Sequence, residues 1–266
     1  MSGTGAFSLA AREIILALAD DELCIGQHQT AWVGVGPFLE EDLAFISIAQ
    51  DELAHARALF RLVAANGDPA TGEADVERER QIDQLAMGRS PQEFRSSWLA
   101  EDACPSWAEA FVRHALYDEA EAVRWEALCH SSVAGLGPLA GRILVEEEFH
   151  RRHARPMLAR LLTGTDESRR RMIEALERLL PLARCLFEPT VGEAEALAAG
   201  VIEADAATLE GRWQARVRGQ LASSGYEPAW PDPIGWGGRR GERSADFAAL
   251  YTEMRAVYVL DPLAHW

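Results

Sequence analysis

The sequence has no uninterrupted apolar run approaching the roughly 18–20 residues that a membrane-spanning helix needs. Its N-terminus lacks the basic segment and the continuous apolar stretch of a secretory signal. Its four cysteines are far apart, which argues against a zinc knuckle or a redox-active dithiol. A formal net charge of −16 opposes phosphate binding, and no arginine-rich arm offsets it. These absences predict a cytoplasmic protein with reduced thiols that neither enters a membrane nor binds nucleic acid.

The chain does have the length and the apolar content for one large core. It contains 266 residues, of which 48% are hydrophobic. Apolar residues recur at helical spacing through most of the chain, and no strand-like alternation competes. The longest predicted helices are at residues 8–33, 39–65, 105–131 and from the turn at 135–138 to about 162.

Turn signals divide these four helices into two hairpins. A Gly-Pro pair separates the first two helices, and another Gly-Pro pair separates the last two. Two shorter helices, at about 73–87 and 91–101, are predicted to connect the hairpins. Hairpins joined by such a crossover have the connectivity of a ferritin-like bundle. We therefore predict an all-α fold, with a ferritin-like four-helix bundle in residues 1–165.

The rest of the chain, residues 166–266, is predicted to add C-terminal helices to the same domain. These helices are expected at about 166–182, 192–222 and 244–259, with the last one leading to Trp266. Residues 223–243 are rich in proline, glycine and tryptophan, which argues against regular structure. Because tryptophan is not typical of a flexible linker, we expect an ordered loop that docks on the bundle.

A Glu-x-x-His motif occurs twice, once in each hairpin. Glu52 and His55 are three residues apart on the second helix, so the carboxylate and the imidazole project from one face. Glu147 and His150 repeat this arrangement on the fourth helix. Non-haem di-iron bundles take such a pair from each of two helices and one carboxylate from each of the other two. One motif alone is a weak signal, but two at corresponding positions are a strong one.

The two remaining carboxylates are predicted at Glu22 and Asp118. Glu52 follows Glu22 by 30 positions, and Glu147 follows Asp118 by 29, with a Gly-Pro turn between the partners each time. Positions about equally far from the turn of an antiparallel hairpin face each other. The six side chains therefore suit a carboxylate-bridged pair of iron ions, although manganese suits the same ligands.

Other interpretations stay open at several of these positions. Two of the glutamates lie in acidic runs, which usually form solvated helix faces, and either histidine alone could be a core residue. Glu119 and Glu121 compete with Asp118, since hairpin geometry does not fix the third helix to one residue. His153 is a spare candidate that we interpret as a surface or outer-layer residue.

An outer layer of acids is also predicted. Asp51 is four residues before His55, and Glu146 is four residues before His150. Each acid is placed to hydrogen-bond the imidazole nitrogen that does not face the metal, which would fix the tautomer. The alternative is an exposed acid beside a glutamate ligand.

These motifs resemble the ferritin-like phenylacetate-catabolism family, which includes the catalytic and the structural large subunits of phenylacetyl-CoA epoxidase. The similarity covers nearly the whole chain. The segments that look like the catalytic subunit are Trp32, Pro37, Asp51–Ala56, Leu116–Asp118 and Glu146–His150. The segments that look like the structural subunit are Gly34–Asp42, Glu126–Leu128, His150–His153, Gly237–Arg239, Thr252–Met254 and Trp266.

The chain departs from the structural subunit at the metal positions. In that subunit the set is degraded, typically with glutamine in place of His55 and no glutamate in place of Glu52. Here all six family ligand positions carry ligand-competent residues, namely Glu22, Glu52, His55, Asp118, Glu147 and His150. This departure favours a metal-loaded protein on a chain that otherwise looks structural.

The resemblance implies a non-haem di-iron monooxygenase. Two iron ions would be its cofactor and O2 its co-substrate, with electrons from an external flavin and iron–sulfur reductase. The substrate would be an aromatic acyl-CoA or a related small molecule. Helical proteins of this kind associate through exposed helix faces, so we also expect a homodimer or a hetero-complex with a homologous subunit. The alternatives are a non-catalytic structural subunit and a ferritin-like oxidase.

Overall fold

The structure is a computed structural model that describes residues 7–65 and 73–263. Within those residues the chain is helical and contains no strand. The α-helices are α1 (Leu9–Thr30), α2 (Leu39–Ala65), α3 (Glu73–Asp83), α4 (Trp98–Glu101), α5 (Trp107–Leu128), α6 (Leu136–Thr163), α7 (Asp166–Ala183), α8 (Glu193–Ala198), α9 (Ala206–Leu221) and α10 (Phe247–Met254).

Two helical hairpins form the bundle. Helix α1 packs along α2, α5 packs along α6, and α2 contacts α6. Ser106 and Glu109 form a capping box at the start of α5. Gly135 precedes α6 with a φ of +85°, a backbone conformation that favours glycine. These helices lie close to their predicted bounds, and the predicted all-α, ferritin-like fold is confirmed.

The crossover differs from the prediction of one helix at 91–101. A short 3₁₀ turn is followed by extended backbone and then by the four-residue helix α4. The backbone N–H groups of Arg95 and Ser97 donate to the carboxylates of Asp20 and Asp21, each at 2.7 Å. A continuous helix would direct these N–H groups to its own carbonyls, so the buried acids of α1 hold the crossover in an extended form.

Two C-terminal helices are also shorter than predicted. The predicted helix at 192–222 is divided into α8 and α9, because Gly200 adopts a φ of +69° after α8. Asp205 then caps α9 by accepting a hydrogen bond from the N–H of Thr208 at 2.8 Å. The predicted helix at 244–259 is regular only within α10. Trp266 lies outside the described residues.

The loop at 223–243 contacts two of the C-terminal helices. The indole ring of Trp230 packs edge-on against Trp213 of α9, with ring centroids 5.5 Å apart. The N–H of Ile234 donates to the carbonyl of Pro181 at 3.1 Å. These contacts fix the loop on the outside of the bundle.

Two compositional expectations can be compared directly with the structure. All four cysteines are free thiols, and three of them are buried. Among the described helices, none has the length and the apolar character that crossing a membrane requires.

A buried ion cluster connects the docked loop to the bundle. Asp21 of α1 is fully buried and accepts hydrogen bonds from Arg124 of α5 and from Arg239, each at 2.7 Å. Although burial opposes its ionisation, these two guanidinium groups hold the pKa of Asp21 below its ordinary value. Arg239 also donates to the carbonyls of Ala17 and Leu186, each at 3.1 Å. One carboxylate therefore joins α1, α5 and the C-terminal segment.

We predict that Asp21→Asn lowers the free energy of unfolding by about 3–5 kcal/mol, because it leaves two buried guanidinium groups without their carboxylate. Urea denaturation at pH 7 measures this change. The wild-type contribution is present above about pH 4, the unfolded pKa of aspartate, and is lost as the pH falls through the lowered folded pKa.

The matched control is Glu167→Gln, which removes an exposed carboxylate that pairs with Arg170 and Arg171. This variant should unfold at the wild-type urea concentration, since exposed ion pairs contribute little. Equal effects of the two substitutions would contradict the role assigned to Asp21.

Candidate metal centre

Ligand-competent side chains from four helices converge in the core of the bundle. Helix α1 contributes a glutamate, α2 and α6 each contribute a Glu-x-x-His pair, and α5 contributes an aspartate. The carboxylate residues are fully buried, and the two histidines are at most 3% exposed. The structure thus brings together all six predicted residues, Glu22, Glu52, His55, Asp118, Glu147 and His150.

The distances place the carboxylates around one nitrogen of each imidazole. Nδ1 of His55 is 3.6 Å from Glu22, 3.7 Å from Glu52 and 3.8 Å from Glu147. Nδ1 of His150 is 3.3 Å from Glu147 and 3.8 Å from Glu52. Glu52 and Glu147 therefore lie near both histidines, which is the arrangement that bridging carboxylates require.

Many of these polar atoms lack a hydrogen-bond partner within residues 7–65 and 73–263. Both carboxylate oxygens of Glu22, Glu52 and Glu147 are buried without such a partner among the described residues, and so is Nδ1 of each histidine. Burying this many polar atoms is costly unless something compensates them. Two overlapping groups of the six side chains, Glu22 with Glu52 and His55, and Glu52 with Asp118 and His150, place their ligand atoms within 4.8 Å of one another. The donor set fits a pair of carboxylate-bridged cations.

Helix α5 brings a second carboxylate into the centre. Glu121 is fully buried, and it forms one of the groups within 4.8 Å together with Glu52 and Glu147. Its Oε1 accepts a hydrogen bond from the indole N–H of Trp125 at 3.0 Å. Asp118 and Glu121 are three residues apart, so both project from one face of α5. In the sequence, the spacing of three residues already indicated that Asp118 and Glu121 can both face the centre.

The other competitor on α5 faces away from the centre. Glu119 accepts hydrogen bonds from Arg155, with Nε at 2.6 Å. Its side chain is therefore held by an ion pair. Of the two alternatives to Asp118, the structure leaves only Glu121 beside the centre.

Burial and mutual repulsion change the protonation of the centre. Burial, with neighbouring carboxylates, raises the pKa of Glu22, Asp118 and Glu121 well above the ordinary range. Burial alone would lower the pKa of His55, but hydrogen bonding to Glu52 and the nearby carboxylate charges raise it to about 9. These raised pKa values favour the protonated forms of the carboxyl groups and of His55. Bound cations would replace those protons as the positive charge of the centre.

The outer nitrogen of each histidine is held by an acid from the opposite helix. Nε2 of His55 is 2.7 Å from Glu146 of α6, and Nε2 of His150 is 3.2 Å from Asp51 of α2. The predicted pairing of each acid with the histidine of its own helix is therefore wrong. Each imidazole lies between α2 and α6 with Nδ1 directed inward, so its other nitrogen reaches the neighbouring helix.

A further histidine, not predicted from the sequence, lies beside the centre. Nδ1 of the buried His114 is 2.9 Å from Asp118, four residues further along α5. Next to it, His153 is 24% exposed and lies 3.1 Å from Glu41, as expected for a residue outside the centre. The two rings are 6.0 Å apart. The spacing of four residues on one helix was the available signal for His114.

We predict that Glu146→Ala weakens binding of Fe²⁺ or Mn²⁺ by about 10–100-fold, because His55 loses the acid that orients its ring. Competition with a chromophoric chelator measures the affinity. The control is Glu148→Ala, since this acid is also 39% exposed but pairs with Arg151 and Arg152. Equal affinities of the two variants would rule out the orienting role.

Comparison with known proteins identifies the family. The family model described as "Phenylacetic acid catabolic protein" matches residues 6–266. The chain is 27% identical over 251 residues to one of the subunits of the 1,2-phenylacetyl-CoA epoxidase of Escherichia coli (strain K12). That alignment covers 94% of this chain and 97% of the relative. The chain therefore belongs to the phenylacetic acid catabolic protein family.

Proposed function

We propose that the protein is a non-haem di-iron monooxygenase that uses O2 and electrons from an external flavin and iron–sulfur reductase. The observation that carries this proposal is the set of buried carboxylates around the two inward-facing imidazole nitrogens, which have no hydrogen-bond partner in the described part of the chain. The buried negative charge of Glu22, Glu52, Asp118 and Glu147 matches two divalent cations. In oxygenases with such carboxylate and imidazole ligands, iron supplies the redox chemistry, and manganese suits the same donors.

The chain's own residues would hold and orient this pair. His55 and His150 would each bind through Nδ1, because Nε2 is already engaged by Glu146 and Asp51. Those outer acids fix the tautomer and the direction of each ring. Iron, when bound, would supply the redox chemistry with O2, while the buried walls keep bulk water from the centre.

The substrate class follows from the relative. The E. coli protein is named as part of an epoxidase of phenylacetyl-CoA. We extend this to an aromatic acyl-CoA or a related small molecule for the present chain. Because that name designates one subunit of a larger enzyme, we propose a hetero-complex with a homologous subunit. The alternative assembly is a homodimer. We also propose that the protein acts in the cytoplasm.

We predict that metal-loaded protein contains about two irons per chain, as a carboxylate-bridged pair requires. Glu52→Ala and His150→Ala should each lose this metal, since each removes a donor from the centre. The test is metal analysis after anaerobic reconstitution, followed by turnover of phenylacetyl-CoA with O2 and a flavin and iron–sulfur reductase. Glu148→Ala is the control with unchanged metal content. If the wild-type chain takes up no transition metal, the oxygenase proposal is wrong.

On α5 we propose Asp118 as the ligand and Glu121 as a supporting acid. Glu121 already accepts the indole N–H of Trp125, so one of its oxygens is engaged. We predict that Asp118→Ala loses the metal, whereas Glu121→Gln retains it because the amide oxygen can still accept that N–H. Metal analysis of the two variants decides between them, and the reverse result would make Glu121 the ligand.

A non-catalytic structural subunit is the second candidate function. It is favoured by the name of the E. coli relative, which designates one subunit of a larger enzyme. In that case the chain would bind metal without turning over substrate alone. Turnover that appears only when a second homologous chain is added, and that survives His150→Ala in this chain, would select this alternative.

A further inference from the structure

A second group of polar side chains lies in the bundle beside the candidate metal centre. Each of the four bundle helices contributes one of them, and three of the four are at most 2% exposed. We call them the His114 cluster, which consists of Gln29 of α1, Glu41 of α2, His114 of α5 and His153 of α6.

The order of residues along the helices places this cluster to one side of the centre. Gln29 and His153 follow the predicted ligands of their own helices, whereas Glu41 and His114 precede theirs. Because the two helices of each hairpin are antiparallel, all four side chains lie towards the same end of the bundle. The His114 cluster is therefore a separate set of side chains and not an extension of the centre in all directions.

Contacts connect the cluster from the surface to the centre. Nε2 of His153, which is 24% exposed, is 3.1 Å from Oε1 of Glu41. The ring of His153 is 6.0 Å from the ring of His114, and Nδ1 of His114 is 2.9 Å from Oδ1 of Asp118. The cluster thus extends from a half-buried imidazole to a carboxylate of the centre.

Each member of the cluster has a buried polar atom that lacks a hydrogen-bond partner within the described ranges. These atoms are Oε1 of Gln29, Oε2 of Glu41, Nε2 of His114 and Nδ1 of His153. Leaving such atoms unpaired is costly, so the space between them favours something that they can bind. Carboxylate, amide and imidazole groups are also donors that suit Fe²⁺ and Mn²⁺.

The cluster is nevertheless too open to retain a metal ion as the centre would. Among the described residues, every group of three side chains with ligand atoms within 4.8 Å of one another includes Glu52, and none includes a member of the His114 cluster. The closest donors in the cluster form a pair, Glu41 and His153. A path for ions needs sites that bind well enough for entry and weakly enough for release. Successive weak sites therefore suit the passage of a cation rather than its storage.

The face between α2 and α6 offers a different approach to the centre. Asp51 and Glu146 are about 40% exposed there, but each already bonds the imidazole of a predicted ligand. A cation that entered past these acids would have to displace His55 or His150. His114 is not one of the six predicted ligands, so its displacement leaves all six donors in place.

We propose that the His114 cluster is the route by which divalent metal ions enter the centre. A cation binds first between Glu41 and His153, then at His114, and passes from there to Asp118. The formal net charge of −16 favours the arrival of cations at the surface of the chain. The proposal rests on the metal centre of the proposed function, but not on its oxygenase activity.

The test is the rate of Fe²⁺ uptake by the metal-free full chain under anaerobic conditions. Samples taken at intervals are mixed with an excess of a chromophoric chelator, which reports the iron that has not yet entered the centre. Glu41→Gln and His153→Gln should each slow uptake about tenfold, because each weakens the first site of the route. After long incubation both variants should still hold about two irons per chain, because neither residue is a predicted ligand.

Matched controls remove the same groups elsewhere. His130→Gln removes an exposed imidazole, and Glu148→Gln removes a carboxylate that is 39% exposed. Both variants should take up iron at the wild-type rate. Glu146→Ala should do so as well, although its affinity for the metal is expected to be lower, because it lies on the face between α2 and α6.

Three results would overturn the proposal. They are wild-type uptake rates in both Glu41→Gln and His153→Gln, slower uptake in Glu146→Ala instead, and a lower final iron content in the two cluster variants. Turnover separates this proposal from the proposed function. Slowed uptake in the cluster variants without turnover by the wild type would contradict only the oxygenase, whereas wild-type turnover with equal uptake rates would contradict only the route.

Discussion

The constraint on which the structure depends is the burial of like charges inside a helical bundle. Carboxylates from all four bundle helices face one another in the core, together with the imidazoles of His55 and His150. Such a group repels itself and lacks solvation. Protons can relieve part of this cost, and divalent cations can relieve more of it. The packing of the four helices therefore has to oppose the repulsion between these carboxylates until protons or cations neutralise them.

Helix α1 illustrates how the fold meets this constraint. Three consecutive acids, Asp20, Asp21 and Glu22, are all fully buried, and each faces a different environment. Asp20 accepts from the crossover, Asp21 joins the arginine cluster, and Glu22 faces the metal centre. The crossover and the C-terminal loop thus cover α1 on sides that a bare four-helix bundle would leave to water.

The same three acids show what the sequence could predict. The two Glu-x-x-His motifs and the hairpin spacing predicted the fold and the six side chains that meet in the core. An acidic run, however, usually indicates a solvated face, and the partners that bury this one are distant in the chain. Asp21 meets Arg239, for example, 218 residues later. The crossed pairing of Glu146 and Asp51 was likewise missed, because it depends on how two separate helices face each other.

That crossed pairing makes the spacing between α2 and α6 a property of the centre itself. Each histidine projects from one helix and is steered by an acid of the other. A small slide or rotation of α2 against α6 would therefore turn both rings at once and change both inward nitrogens together. Because Asp51 and Glu146 are about 40% exposed, the steering acids lie where another molecule can touch them. A contact made at the surface of α2 and α6 would therefore be transmitted through Asp51 and Glu146 to the buried imidazole rings.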